Sequence, residues 1–451
     1  MSELMEMARR LLEGVRGDEE IEVYLSRGVD TDVEVYEGSV EQLTTAASAG
    51  VGVRVLVQSA GGARVGTAWA GSLDEEAVAD ALAQARDNVR FATEDEFVAF
   101  ARPDGVAPAG LSLRDESVLA TSLEEKIAMA LELERRVRAG DTRIRQVESA
   151  AYSDYVIEGA MASTVGIAAN YARSGAYLSV EAIASDGTND QTGYGLSAAR
   201  RPADLDLEAA ATDAIVRSTR MLGATRPSTR RTTVVFDPRT AATVLAILGG
   251  ALSGEAVVRG RSFFAGRLGE VVAARAVTVA DDPTDARHFA ASNFDGEGLA
   301  CRRNVLIQDG ELRAFVYDTV SARRAGTTST GGAVRGGIAG SPSAGPRALV
   351  LSPGVLSQEE IVATVGEGLY VDSLTGVHSG VNAISGDFSV GVTGLIIRDG
   401  RLAEPVREVT VASTLQRMLL DVAHVGADTT WLPGVAAGQT LAIADLAVSG
   451  S

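Results

Sequence analysis

The sequence predicts an α+β protein: an N-terminal α/β unit with an antiparallel sheet, a middle α+β segment and a β-rich C-terminal domain. Three observations carry that reading. Runs of alternating and β-branched residues come in clusters separated by Gly and Asp turn signals. Stretches with apolar residues at helical spacing stand beside those clusters, and do not alternate with them one by one. The 451 residues, 46% of them hydrophobic, suffice for two or three domains with substantial cores.

MSELMEMARRLLEGV opens as an amphipathic helix, its apolar residues interrupted by Glu3, Glu6, Arg9 and Arg10, unlike the apolar stretch of a signal peptide. Strands are expected at Ile21–Leu25, Asp32–Tyr36, Val51–Val57 and Val65–Ala70, then a helix over Leu73–Val89. The Arg102–Gly105 loop closes a first domain, residues 1–104. In the second, 105–228, Ser122 and Glu125 have capping-box spacing before a helical run to Val137. Strands follow at Val156–Ala160, Gly166–Tyr171 and Ala176–Ala184, then a helix from Leu207 to Met221 and the turn-rich Arg226–Arg231.

The third domain, 229–451, begins with strand Thr232–Phe236, then Asp237 and Pro238 as N-cap and first-turn proline of the apolar helix Thr240–Leu252. That helix is shorter than the roughly 20 residues that cross a bilayer. Asn304–Leu312 and Gly394–Leu402 each place an AspGly turn between two strands and read as hairpins. Between them GTTSTGGAVRGGIAGSPSAG (326–345) reads as a long flexible loop, either disordered or touching a substrate or subunit.

Sixty acidic against 41 basic side chains give a net charge of -19, which disfavours phosphate backbones and anionic lipid, so neither nucleic acid nor a membrane is expected as a partner. A single cysteine, Cys301, excludes an internal disulfide and fits the reducing cytoplasm. The three histidines, His288, His378 and His424, lack ligands at HExxH or CxxC spacing. Asp281, Asp282 and Asp285 suit either a hard cation or a turn. Cys301 has no nucleophile signature, and no GxSxG elbow, P-loop or strand–GxGxxG–helix unit occurs. In GVHSGVNAISGDFSVG (376–391) small residues alternate with His378, Asn382, Asp387 and Ser389. Such a segment either brings backbone close to a ligand or forms a tight turn whose polar groups serve local bonds.

HSGVN and SGDFS in that segment, the GLII strand, its AspGly turn and Glu404–Val406 resemble the C-terminal signature of the TldD/TldE (PmbA) family. RSFFAGRLGE at 261–270, DDP at 281–283, DGEL at 309–312 and ARRAG at 322–326 follow the family's order, so the resemblance spans the chain and is strongest from Thr232 onward. The family has a metal-binding TldD branch, with an HExxxH helix and a C-terminal cysteine, and a TldE branch without them. Here the helix positions fall at Leu245, Ala246 and Gly250, and the cysteine region, about residues 426–431, has none, as in the second branch.

The resemblance implies a heterodimer. A TldD-like partner would hold zinc or a similar divalent metal, and this chain, with no catalytic or metal-binding residue and no cofactor of its own, would close a chamber around an unfolded or modified peptide or small amide. Proteolysis or N-deacylation would be the reaction. Older names link the family to DNA gyrase, for which this acidic chain offers no physical ground. His378, Ser379, Asn382 and Asp387 are the expected substrate-facing or interface residues. Two alternatives stay open: a self-sufficient hydrolase using Cys301 and His378, and a regulatory or scaffolding partner without substrate.

Overall fold

The computed structural model describes residues 2–450. Its first half is one six-stranded antiparallel sheet in the order β3-β2-β1-β4-β5-β6, formed by β1 (Glu20–Tyr36), β2 (Ser39–Ser59), β3 (Gly62–Ala70), β4 (Ile144–Ser163), β5 (Ala168–Ser185) and β6 (Asp190–Ala199). β1 pairs along its length with β2 on one side and β4 on the other, so the expected N-terminal and middle units share a sheet across residue 104.

Two helix pairs cover that sheet. Helices α1 (Glu3–Leu12) and α2 (Glu75–Asn88) bury Leu4, Met5, Val78 and Leu82 against Ile21, Val23 and Leu25. Helices α3 (Leu123–Gly140) and α4 (Leu207–Thr219) bury Leu133, Val137 and Ala214 against Val33, Val35 and Leu178. Arg27, Gly28 and Asp30 belong to neither core. This polar stretch makes β1 read as two short strands, yet it stays extended because both neighbours bond it, with Arg27 opposite Ala49 and Glu158. The capping box closes as expected, with Ser122 Oγ accepting from Glu125 N–H and the Glu125 carboxylate accepting from Ser122 N–H.

The second half is built on a six-stranded mixed sheet. Its strands are β7 (Arg230–Phe236), β8 (Gly368–Thr375), β9 (Asp387–Arg398), β10 (Arg401–Thr414), β11 (Val422–Val425) and β12 (Leu441–Ser449). The order is β10-β9-β8-β7-β12-β11, with β7 and β8 parallel, and β10 also pairs with β12, closing the sheet on itself. Helix α5 (Pro238–Ala251) packs Val244, Leu245 and Leu248 into the core between this sheet and a four-stranded one containing Val279–Asp281 and Asn304–Gln308. Asp237 caps it, accepting from Arg239 N–H at 2.8 Å. In both hairpins the turn has positive φ at Asp and Gly, 50° and 83° at Asp309 and Gly310, 50° and 69° at Asp399 and Gly400.

The 326–345 segment is not the flexible loop expected from its composition. Ala333–Val334 pairs with Ser343–Ala344, and Gly331, Gly332 and Ala333 are buried. Its tip lies on β2, where a Cβ at Gly50 or Gly52 would collide with Ile338, so glycine there makes room for the segment. Its Arg335 reaches β1. There the Glu22 carboxylate accepts from Arg335 and, at 3.0 Å, from Arg54, and all three side chains are at least nine-tenths buried. Glycine content suggests freedom; tertiary contacts at both ends remove it.

Burial pushes the Glu22 carboxyl up, and Arg54 and Arg335 outweigh burial, leaving it below the ordinary carboxylate range. Its contribution to stability is therefore complete above the unfolded pKa and is lost as pH falls through the lower folded value. Replacing Glu22 by Gln strands two buried guanidiniums, and we expect a loss of about 3–5 kcal/mol at pH 7, shrinking as pH falls below about 4. Urea unfolding of both proteins across that range measures it; equal midpoints at pH 7 would contradict the clamp.

Candidate functional site

Where the first sheet meets the C-terminal domain, β6, the first turns of α5 and β8 enclose a cleft of about 460 Å³. Tyr194, Arg239, Thr243, Thr375, Val377 and Thr393 are among its lining residues. One wall is held by a knot centred on Arg217 of α4. Its guanidinium donates to Asp213 at 2.6 Å, Asp237 at 2.8 Å and Asp372 at 2.6 Å, while Arg220 adds to Asp372 and Arg239 to Asp213. Tyr370 Oη donates to Asp237 at 3.1 Å. Asp237 thus caps α5 with one oxygen and ties it to α4 with the other. Sequence reading found the cap and missed the tie, because Arg217 and Asp372 lie far apart in the chain.

The segment singled out from sequence rims this cleft through Val377, two residues after Thr375 of β8. His378 and Ser379 stand on the short helix Val377–Gly380, Asn382 and Asp387 follow it, and all four are exposed. Ser379 Oγ donates to Gly376 O at 3.2 Å, Asn382 Oδ1 accepts from Ile384 N–H at 2.9 Å, and Asp387 accepts from Ser385 Oγ at 2.6 Å. Three of the four thus shape the turn, and the His378 ring makes no hydrogen bond or ion pair among the described residues. None of the four lines the cleft itself.

Hydrolytic machinery is poorly represented. Leu245 is 3% exposed in the core, and neither Ala246 nor Gly250 carries a donor atom, so the α5 positions of the HExxxH pattern do not fit a metal. Among the described residues no group of three or more His, Cys, Asp or Glu side chains is placed to hold one. The Asp281–Asp285 run is a turn: Asp281 accepts from Arg347 and Ala348 N–H, Asp282 from Thr284, Asp285 from Arg287. Cys301 is buried and burial pushes its thiol up to about 12, so the thiolate is scarce and shielded. His288 is also buried, which lowers its pKa to about 4 and keeps it neutral. Its Nδ1 accepts from Ala290 N–H.

Glu297 is a buried, strongly perturbed carboxyl. Burial, with Asp295 and Asp318 alongside, pushes it up to about 8, while Thr319 supplies N–H and O–H donors to it. All three carboxylates take backbone N–H groups, Asp295 from Ala333, Glu297 and Leu299, Asp318 from Ser321, which makes them organisers of the 295–333 loops.

The fold and site together define an α+β protein with a polar cleft between its first sheet and its C-terminal domain. The sequence matches family models described as PmbA/TldA metallopeptidase domain 1 (residues 21–89), central domain (116–222) and C-terminal domain (229–450). Metalloprotease PmbA of Escherichia coli O157:H7 is 28% identical over 429 residues, covering 93% of this chain and 90% of its own. A protein named Metalloprotease from Methanothermobacter thermautotrophicus is 29% identical over 62% of each chain. TldE from Thermococcus kodakarensis superposes with a TM-score of 0.89 at 23% identity, covering 99% of both chains, so the fold is the same. The chain belongs to the PmbA/TldD metallopeptidase family.

Two outcomes test this reading of the buried groups. Cys301 should resist iodoacetamide in the folded protein and react at the rate of a free thiol in 8 M urea; rapid labelling without denaturant would reopen it as a nucleophile. Glu297 titrates higher folded than unfolded, so stability is greatest below its ordinary pKa of 4.5 and declines as pH rises toward about 8. The urea midpoint should fall between about pH 5 and pH 9, and fall less in Glu297→Gln, whose amide oxygen still accepts from Thr319.

Proposed function

We propose that this chain is the non-metal-binding, TldE/PmbA-like subunit of a cytoplasmic heterodimeric metallopeptidase or amide hydrolase. A TldD-like partner would carry the divalent metal, zinc or similar, and the substrate would be an unfolded or modified peptide or a small amide cleaved by proteolysis or N-deacylation. The observation that carries this reading is α5: in a chain of a metallopeptidase family, the positions of the HExxxH pattern hold Leu245, Ala246 and Gly250, side chains that neither ligate nor accept a proton.

What remains for this chain is positioning. β6 is the outermost strand of its sheet, and its Gln191, Thr192, Gly193 and Tyr194 line the cleft, offering an extended peptide a strand edge to pair with. Thr243, Thr375 and Thr393 supply hydroxyls that serve either as donors or acceptors to a peptide backbone. Ordering the substrate and keeping bulk water from it both speed a reaction carried out by groups on another chain. The Arg217 knot keeps the walls in register, since Asp237 and Asp372 belong to the C-terminal domain and Arg217 to α4.

The self-sufficient alternative meets an obstacle in the burial of Cys301 and its raised thiol pKa, with no hydrogen bond joining it to His378. Amide hydrolysis and metal content of this chain, of a TldD-like protein from the same genome, and of the two mixed distinguish the readings. We expect turnover only in the mixture, with metal bound stoichiometrically to the partner. Turnover by this chain alone, abolished in Cys301→Ala, would overturn the proposal. A mixture no more active than the partner alone would mark the chain as a scaffold or regulator.

A further inference from the structure

A second, smaller cavity of about 90 Å³ lies where β1 and β5 meet the C-terminal domain. One water needs roughly 10–15 Å³ measured this way, so the space holds about six waters or a small organic acid. Tyr24, Tyr171, Arg173, Asp295, Arg335 and Arg347 supply its polar wall.

The charge balance of that wall is unusual in a chain of net charge -19. Arg173 pairs with no carboxylate and makes no side-chain hydrogen bond among the described residues, and its Nε is fully buried without a partner. Arg347 makes no ion-pair contact among the described residues; its guanidinium donates to the carbonyl of Ala333 at 3.3 Å and feels the buried Asp281 and Asp295 carboxyls only through space. Arg335 is committed to Glu22, which already serves Arg54, so one carboxylate balances two guanidiniums there. The one acid on the wall, Asp295, spends its oxygens on the N–H groups of Ala333, Glu297 and Leu299, and burial pushes its pKa up, reducing its negative charge. The half-buried Arg173 guanidinium, without a carboxylate partner, is costly in an empty site and becomes an asset when an anion arrives.

The hydroxyls lean the same way. Tyr24 and Tyr171 share one hydrogen bond of 2.6 Å between their oxygens. Two hydroxyls carry two protons and that bond uses one, leaving one O–H to donate. Arg173, Arg347 and the spare tyrosine O–H thus offer donors to a ligand in this cavity, which favours an acceptor such as a carboxylate. The planar fork of a guanidinium matches a carboxylate in two parallel N–H···O bonds.

We propose that this cavity is a carboxylate site in which Arg173 and Arg347 are the cationic ligands, and that it receives a free carboxylate of a peptide. The peptide as carrier rests on the function proposed above; the anion preference rests on the cavity alone.

Calorimetric titration of this chain by itself with N-acetylglycine, N-acetylglycinamide and inorganic phosphate tests the site. The acid should bind at least tenfold more tightly than the amide, and more tightly than phosphate. Arg173→Gln and Arg347→Gln should each weaken the acid tenfold or more, with Arg173→Lys retaining part of the binding, and circular dichroism melts will show that the variants are folded. Equal affinity for acid and amide, preference for phosphate, or insensitivity to both glutamine variants would overturn the inference. With the partner chain added, free-acid peptides should show a lower KM than their C-terminal amides at similar kcat. Equal KM values in an active pair would sink the peptide carrier and leave the heterodimer reading intact. Absence of turnover in the pair, with acid binding preserved, would sink the heterodimer reading and the peptide carrier with it, and leave the carboxylate site standing.

Discussion

The contact on which the arrangement depends is the buried carboxylate of Glu22. It sits near the start of β1, in the middle of the first sheet, and receives Arg54 from the adjacent strand and Arg335 from a segment 313 positions further along. An ion pair of this kind contributes little net stability compared with apolar packing, because both partners give up hydration. Its effect is on specificity: together with the contact of Ile338 with β2, Arg335 fixes where the glycine-rich segment lies against the sheet. With it, the segment becomes a wall of the smaller cavity, and Arg335 lies over the Tyr24 ring at 5.2 Å.

A second knot, around Arg217, does the same at the other side of the junction. Three aspartates share one arginine, and two of them, Asp237 and Asp372, come from the domain opposite. Burial, with Asp237 alongside, pushes Asp372 up, while Arg217 and Arg220 act against it, so the balance depends on both arginines staying in contact. The clefts lie between these fixed points. Their shapes follow from how the two halves are clamped, and their polar linings come from strands and loops whose other faces are in the cores.

A helix that must present two ligands and a base toward a metal needs polar groups on one face, whereas α5 buries Thr240, Val244, Leu245 and Leu248. Its apolar side chains pack in the core between two sheets. No helix among the described residues is long and apolar enough to cross a membrane.

Local features were readable because their causes are local. The Ser122–Glu125 box, the Asp237 cap with Pro238, the two AspGly hairpins and the apolar helix are each set by a few consecutive residues. The segment carrying His378, Ser379, Asn382 and Asp387 was legible either as a ligand-facing stretch or as a polar turn, and Ser379, Asn382 and Asp387 make the local bonds of a turn. Strand lengths and the continuity of the first sheet were not, since polar residues such as Arg27 and Asp30 remain extended only because neighbours on both sides bond them. The packed state of 326–345 was hidden for the same reason: its order comes from Glu22 and from the space left by Gly50 and Gly52. By itself, then, the amino-acid sequence determined the fold class, the caps and turns, the family and the absence of donors at positions 245, 246 and 250. The tertiary structure alone decided which arginines would find carboxylates and which would not, because charge pairing depends on distances across the fold that no spacing along the chain encodes.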